Sequence, residues 1–576
     1  HAHPRIADAQ ESRGLGDVYK RQVMPERHFC GPTGGIIHFL TVMQQTGSKK
    51  HALLAPIAVV STPLALLLPD QVIALWPALV ALTLVFLNKN APLSLGVSCL
   101  SALLLILLVD RLAFLNWFSL EGGLVGTLKS PWHSYALVFT LLLGALSAII
   151  EKSGGLLALL QRGSALTDRN RQRFLNSVMG MGFLCFFDGL ANALMLGRVA
   201  RPVADRLRIP RAYLAYLVDT TSSAVACLAF VSTWIVTQLG YISNHSPLEK
   251  AAYLQFLSSL PYNYYCIFGL LIAILSVQYR WLMGPMRRRF QKSNPSPAGG
   301  KEVEPERTSP ARALVPLFVL LLSLPLVIFW SYSPEQEISF SLRIQKALDA
   351  SSVPRAFVIS SLLALAAAFA VYPRGRLREA PRVACLGAGQ LAPALCVLLL
   401  AWILGSLFRE LGTADVLANL LGGWLPLNAL ASGVFVLGCL ISFVSGSSWG
   451  TMGLLMPLVL PLSGAIAAAQ GASPEILETI VPAVIGAVFG GAVFGDHCSP
   501  YSDTTIVSAL ATGISTHEHT ITQLPYALVA AVAAVFLGFF PVSLGVPAWV
   551  ALLLGCGLLT AGIRIITRKP RAESAR

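Results

Sequence analysis

The sequence predicts an all-α polytopic membrane protein with about 12 to 14 transmembrane segments. Of its 576 residues, 55% are hydrophobic and only 12% are charged, whereas roughly 25% of the residues of a soluble domain are charged. Lipid offers no partners to unpaired backbone groups, and the sequence lacks the alternating strand pattern of an outer-membrane barrel, so the spans should be helices. Apolar runs long enough to cross about 30 Å of hydrocarbon lie at 52–69, 71–88, 95–116, 134–151, 213–236, 355–372, 384–408, 523–543 and 546–564.

Composition also excludes other classes of protein. The net charge of +14 does not indicate a partner nucleic acid, because most Lys and Arg residues fall in short segments between apolar runs, where they orient a protein in the membrane. The ten cysteines are scattered singly, without metal-ligand spacing. No phosphate loop or nucleophile and base set is visible. We therefore expect that the protein is not an enzyme and has no cofactor. Its expected partners are the lipid bilayer and small ions.

Changes in composition divide the chain into segments. The first lacks both a starting Met and the apolar core of a signal peptide, and it is predicted to be a non-native leader. Two transmembrane halves flank a stretch rich in Pro, Gly and charge, which predicts a flexible cytoplasmic linker. The segments are the leader 1–23, a cytoplasmic N-terminal segment 24–50, the first half 51–283, the linker 284–313, the second half 314–566 and a cytoplasmic tail 567–576.

The distribution of basic residues predicts the topology. Clusters of Lys and Arg at 161–173, 198–211 and 280–313 should face the cytoplasm. We expect an inner-membrane protein with both of its termini on that side. The path through the membrane is then consistent if residues 174–197 enter and leave on the same side. The sequence therefore predicts a re-entrant hairpin there. The alternative is an ordinary span that leaves one basic loop on the wrong side.

Carboxylates within apolar segments indicate the functional site, because a charge at the centre of a membrane helix costs about 2.5 to 3.5 kcal/mol. In the second half, glycines and Pro500 interrupt a helix around Asp496 and Asp503. The carboxylate oxygens of these residues are hard ligands, which suit a small alkali cation. Asp-Thr-Thr occurs at 219–221 and again at 503–505, once in each half, which favours broken helices in an inverted repeat.

A second pair of interrupted segments predicts two hairpin tips. Asp188 precedes Gly189 in the predicted hairpin of the first half, where it could instead be only a structural cap of a half-helix. The run SGSSWGTMG, which begins at Ser445, predicts the other tip. The candidate ion-binding residues are therefore Asp188, Asp219, Thr220, Ser447, Thr451, Asp496, Ser499, Asp503 and Thr504.

We assign none of three histidines, His497, His517 and His519, as a metal ligand. His497 is a candidate pH sensor, since small changes in its surroundings move its titration across neutrality, although packing against a broken helix explains it equally well. The sequence His517-Glu518-His519 lacks the i, i+4 spacing of a helical zinc site and is interpreted as a solvated cytoplasmic turn. Gly387-Ala388-Gly389 opens an apolar span and indicates close helix packing.

The runs VFGDHCSPYSDTT, SGSSWGTMGLLMP, RELGTADVLANLL and LAYLVDTTSSAVACLAFVSTW resemble the signatures of NhaC-type Na+/H+ antiporters of the ion-transporter superfamily. The likeness spans roughly 134–543. It implies secondary antiport by an elevator-like or rocking movement around a central cation site. One departure is Gly189, where members of the family often carry a second acidic residue. The resemblance extends to Asp219, Thr233, Trp234, Ser447, Trp449, Thr451, Asp496, His497, Ser499, Asp503 and Thr504.

These observations lead to a hypothesis in which Na+ (or Li+) and H+ compete for a carboxylate cluster of Asp219, Asp496 and Asp503, tuned by Asp188. Crowded carboxylates titrate as a unit, so binding of the cation would expel a proton. The alternative is an ion-coupled transporter of a small organic anion or amino acid, with Arg409 as a substrate contact. A homodimer is common for this architecture.

Overall fold

In the computed structural model of this chain, every described element is helical. The structure describes residues 59–67, 73–88, 90–118, 131–164, 171–292, 308–331, 353–421 and 425–568, with the single positions 56, 69, 125, 126, 129, 343, 346 and 347. Within these ranges, 12 helices are long and apolar enough to cross a membrane. This confirms the predicted all-α multi-pass membrane fold. The predicted leader 1–23 and the segment 24–50 lie outside the described residues, as does most of the tail.

In chain order, the helices are α1 Trp76–Asn88, α2 Ala91–Val109, α3 Arg111–Trp117, α4 Pro131–Lys152, α5 Gly155–Ser164, α6 Arg171–Leu184, α7 Gly189–Arg206, α8 Arg211–Leu228, α9 Thr233–His245, α10 Ala252–Ser259, α11 Tyr264–Tyr279, α12 Gly284–Lys292, α13 Ala311–Ser331, α14 Val353–Ala370, α15 Ala380–Gln390, α16 Ala392–Glu410, α17 Thr413–Leu421, α18 Leu430–Ser445, α19 Ser448–Ala469, α20 Pro474–Cys498, α21 Asp503–Thr512, α22 Thr516–Ala533 and α23 Ala548–Arg568. A π-helical turn, Ala534–Phe539, and a last turn, Phe540–Ser543, extend α22.

The first hairpin consists of α6 and α7, with a break at 185–188. Gln172, at the start of α6, donates to the Val277 carbonyl (2.9 Å) at the end of α11. At the start of α8, the hydroxyl of Tyr213 lies 2.9 Å from that of Ser276, at the same end of α11. The chain therefore returns to the side from which it entered, as the positions of the basic residues predict.

The second hairpin consists of α18 and α19, with a turn at 446–447. Its ends meet at Gln470, which donates to the Leu425 carbonyl (2.9 Å) and accepts from the Leu427 amide (3.3 Å). Gly464 of α19 packs against Pro247, just beyond the end of α9. Together, α8 and α9 form one span of the membrane. This hairpin therefore opens on the side opposite to the first one. Each hairpin is followed by a broken helix, and the two hairpins open on opposite sides, so the two halves form an inverted repeat.

The prediction of a flexible linker over 284–313 is wrong at both of its ends. Residues 284–292 form α12, and 311–313 begin α13. Met286 is fully buried, and the Phe290 ring packs edge-on against Tyr213, with the ring centroids 5.3 Å apart. Met and Phe, four residues apart, give this basic stretch an apolar stripe, so it forms a helix that packs on the transmembrane bundle.

The predicted packing role of the Gly387 region is visible at the crossing of α4 and α15. A Cβ atom at Gly387 would overlap the Gly144 carbonyl oxygen and the Ala148 methyl group. Backbones approach this closely in membrane bundles only where small residues meet.

The variant Gly387→Ala should therefore be less stable than the wild type by about 1 to 3 kcal/mol, the usual cost of overpacking. Thermal unfolding in detergent, followed by size-exclusion chromatography, measures the change. Gly389→Ala is the matched control, because nothing lies within 4 Å of a Cβ atom at that position. Equal melting temperatures for the two variants would contradict the packing argument.

Candidate functional site

Asp188 lies at the tip of the first hairpin, where it caps α7. One side-chain oxygen accepts a hydrogen bond from the Ala191 amide (2.8 Å), and the other accepts one from the Thr233 hydroxyl (3.0 Å). The Thr233 amide also donates to the Phe187 carbonyl (3.0 Å). A carboxylate is favoured at this position by the free amides and the dipole of the helix. Asp188 is thus a structural cap, and it also fixes the hairpin tip to the break between α8 and α9.

The tip of the second hairpin has the same construction with neutral groups. Ser447 caps α19 and accepts from the Gly450 amide (3.0 Å), while the Thr451 hydroxyl donates back to the Ser447 carbonyl (2.8 Å). Gly446 adopts a left-handed conformation (φ 64°) and lies directly against the backbone of Tyr501. This tip therefore packs on the break between α20 and α21.

Asp496 joins the two broken helices near the end of α20. Its side chain accepts hydrogen bonds from the hydroxyls of Ser223 (2.7 Å) on α8 and Ser502 (2.9 Å) in the second break. Its backbone carbonyl accepts from the hydroxyls of Thr504 (3.4 Å) and Thr505. The side chain is almost completely buried, so its charge needs these donors or a cation.

These four interruptions of the helical backbone enclose a small cavity. Its volume is about 20 Å³ for the centre of a water-sized sphere, which is about enough for one water molecule. No three acidic, histidine or cysteine side chains in the described ranges converge closely enough to hold one metal ion together. A cation there would take one or two carboxylates and complete its shell with hydroxyl and carbonyl oxygens. The polar and aromatic lining includes Asp188, Trp234, Ser447, Ser448, Trp449, Asp496, Asp503 and Thr504.

The remaining predicted residues occupy different positions around the cavity. Asp503 begins α21 and is exposed, in contrast to the buried Asp496. Thr451 and Ser499 are fully buried and are not among the residues that line the cavity. His497 is buried, with Nδ1 2.9 Å from the Tyr265 hydroxyl, a contact that fits the packing interpretation, and its role as a pH sensor stays a prediction.

Asp219 lies outside the cavity, in a second polar site between α8, α21 and α22. It is fully buried, and its side chain accepts hydrogen bonds from the Ser508 hydroxyl (3.0 Å) and the Gln523 amide (2.8 Å). Thr220, beside it, is buried, and its hydroxyl makes no hydrogen bond to the described residues. The structure thus places the predicted carboxylates in two sites rather than in one cluster.

The interpretation of residues 517–519 as a solvated turn is wrong for His519. His517 is exposed, and Glu518 forms an ion pair with Arg289 (3.1 Å), but His519 is fully buried with Nε2 3.3 Å from Asp219 Oδ2. Ser515 caps α22 by accepting from the Glu518 amide (3.2 Å). This Ser-x-x-Glu capping box is a helix-start signal, and it places His519 in the first turn of a helix.

Comparison with known proteins identifies transporters that are similar to this chain in sequence or in fold. The model of the Na+/H+ antiporter family matches residues 225–542. An uncharacterized protein of Haemophilus influenzae is 28% identical over 407 residues, which is 69% of this chain and 76% of that protein. An uncharacterized Na+/H+ antiporter of the same organism is 31% identical over 110 residues, 18% of this chain and 20% of its own length. The YdaH transporter of Alcanivorax borkumensis shares the fold, with a TM-score of 0.54 at 15% identity over 82% of this chain and 99% of that one.

Proposed function

Because this chain belongs to the Na+/H+ antiporter family, we propose that it exchanges Na+ or Li+ for H+ through the cavity lined by Asp188, Asp496 and Asp503. The observation that carries the proposal is the convergence of two hairpin tips and two helix breaks on these carboxylates. The space between them suits a single small ion better than an organic molecule. Carboxylate, hydroxyl and free carbonyl oxygens are the ligands that hard cations prefer.

The electrostatics of the cavity would make the exchange obligatory. A site with uncompensated carboxylates is costly to move through hydrocarbon. A bound cation or a bound proton compensates one negative charge, so either loaded form crosses more easily than the empty one. The inverted repeat supplies two related arrangements of the hairpins, in which the site opens to one side or to the other.

The proposal includes an orientation in the inner membrane. Arg171, Arg206 and Arg211 are terminal residues of α6, α7 and α8, and Arg287 lies within α12, on the side where the first hairpin opens. By the positive-inside rule this side is the cytoplasm, and both termini would face it. Residues 51–283 and 314–566 would then be the two halves that carry the repeat.

The proposal predicts that Na+ or Li+ collapses an imposed pH gradient in proteoliposomes, and that Asp503→Asn slows the collapse at least tenfold. Asp503 lies at the exposed rim of the cavity, where its charge attracts the entering cation, and electrostatic attraction of this kind changes on-rates by roughly 10- to 1,000-fold. A pH-sensitive dye inside the vesicles measures the rate.

The matched control is Glu475→Gln, which also removes an exposed carboxylate from the first turn of a helix, α20. This control should behave like the wild type. A pH gradient that ignores Na+, Li+ and K+ but responds to an organic anion or amino acid would refute the proposal. It would favour an organic-solute transporter whose coupling ion uses the same carboxylates.

A further inference from the structure

His519 and Asp219 form a buried polar pair away from the cavity. Both side chains are completely buried, and Nε2 of His519 lies 3.3 Å from Oδ2 of Asp219. Neither imidazole nitrogen has hydrogen-bond geometry with any of the described residues. Asp219 accepts hydrogen bonds from Ser508 and Gln523, so its carboxylate is already held in place. The close polar contact of His519 is this carboxylate.

The 3.3 Å contact between His519 Nε2 and Asp219 Oδ2 has room for one bridging proton. A neutral imidazole buried without hydrogen bonds forfeits its contacts with water, and the carboxylate beside it would keep an uncompensated charge. A proton on His519 turns the contact with Asp219 into a charge-assisted hydrogen bond between opposite charges. The pair can therefore take up or release a proton without moving its heavy atoms far.

Two short connections link the pair to the cavity. On α8, Ser223 follows Asp219 by one helical turn, and it donates to Asp496 (2.7 Å) in the cavity wall. On α21, Ser508 donates to Asp219 (3.0 Å), and the first residues of the same helix line the cavity. A change of charge at either site therefore acts on both broken helices.

The titratable groups around His519 come from several helices. Asp219 faces it from α8, and His497 of α20 is within electrostatic range of both residues. Asp496, also on α20, is within electrostatic range of Asp219, as is Tyr265 of α11. From α12, Arg289 pairs with the neighbouring Glu518 (3.1 Å). From α21, the facing group is the Ser508 hydroxyl.

We propose that the His519–Asp219 pair carries the exchanged proton, while the cavity of Asp188, Asp496 and Asp503 carries the cation. This inference rests on the proposed Na+/H+ exchange and separates its two ions in space. When a cation enters the cavity, the pair releases its proton from His519 to the water on the same side, so the net charge of the buried groups is unchanged. The two sites are then linked by a coupling free energy, as in other two-site systems.

The test compares two kinds of flux in proteoliposomes for His519→Gln and its matched control His517→Gln, an exposed residue on the same helix. Exchange of Na+ for H+ needs the proton site, whereas exchange of radioactive Na+ for unlabelled Na+ does not. We expect His519→Gln to reduce the rate of Na+/H+ exchange at least about tenfold, within the usual range of coupling between sites. The exchange that remains should not depend on pH. Its Na+/Na+ exchange should stay near that of the control.

Asp219→Asn is the second variant, because it keeps the shape of the side chain and should give the same separation of the two fluxes even where His519→Gln folds poorly. Unchanged Na+/H+ exchange in either folded variant would overturn the inference, as would equal loss of both fluxes. A wild-type protein that moves Na+ in neither assay would instead refute the proposed function, and the inference with it.

Discussion

Replacing Asp496 by Asn should make Na+-driven proton movement require a far higher Na+ concentration, in a protein that still folds. The carboxylate lies in the cavity wall, held by the hydroxyls of Ser223 and Ser502, and asparagine keeps its shape but not its charge. A cation in the cavity would then lose the negative charge of this buried carboxylate, and an unpaired charge at membrane depth costs about 2.5 to 3.5 kcal/mol. That energy corresponds to roughly 70- to 400-fold weaker binding.

The measurement is the Na+ concentration that gives half-maximal collapse of a pH gradient in proteoliposomes. Asp415→Asn is the matched control, because it makes the same change at an exposed aspartate in the first turn of α17. The control should match the wild type. An Asp496→Asn variant with an unchanged Na+ requirement would show that the cation binds elsewhere.

Gly446→Ala should cost most of the transport activity together with a large part of the stability. The residue adopts φ 64°, a left-handed conformation that costs an alanine about 1 to 2 kcal/mol. A Cβ atom there would also lie 2.7 Å from the carbonyl carbon of Tyr501, and overpacking of this kind adds about 1 to 3 kcal/mol. The tip of the second hairpin would have to move away from the second helix break, and the cavity lies between them.

Gly471→Ala separates the two effects. This glycine, in the turn after α19, has a similar φ of 60°, but nothing lies within 4 Å of a Cβ atom at its position. The control should therefore lose only the conformational part of the stability and keep its transport rate. Melting temperature and Na+/H+ exchange are measured on both variants. Equal effects on transport would show that close packing at the hairpin tip is not required.

The topology could be predicted from the sequence because its signals are local. A membrane helix needs a continuous apolar run, and charge decides which end faces the cytoplasm. The same reasoning predicts the hairpin in 174–197, since clusters of basic residues precede and follow it. Glycine, proline and hydroxyl residues beside Asp188, Asp496 and Asp503 indicate the interruptions that form the cavity.

The grouping of the carboxylates could not be predicted, because it depends on helix faces and on contacts between distant residues. Asp219 and Asp496 both lie in broken helices, yet Asp219 meets Gln523, which is 304 positions away. For His519 the sequence predicts a solvated turn, because the residue follows a polar segment. The usable signal was the capping box at Ser515, together with the buried spacing of 519, 523, 526 and 530 along one helix face.

The contact between Ser223 and Asp496 has a consequence for biosynthesis. The two residues are 273 positions apart, and a ribosome adds roughly 5 to 20 residues per second. The first half therefore waits roughly 14 to 55 s before the helix that covers its polar groups has been synthesised. During this interval Asp219 lacks the partners that Ser508 and Gln523 supply in the folded protein, so this buried polar site is completed only after the second half has been inserted.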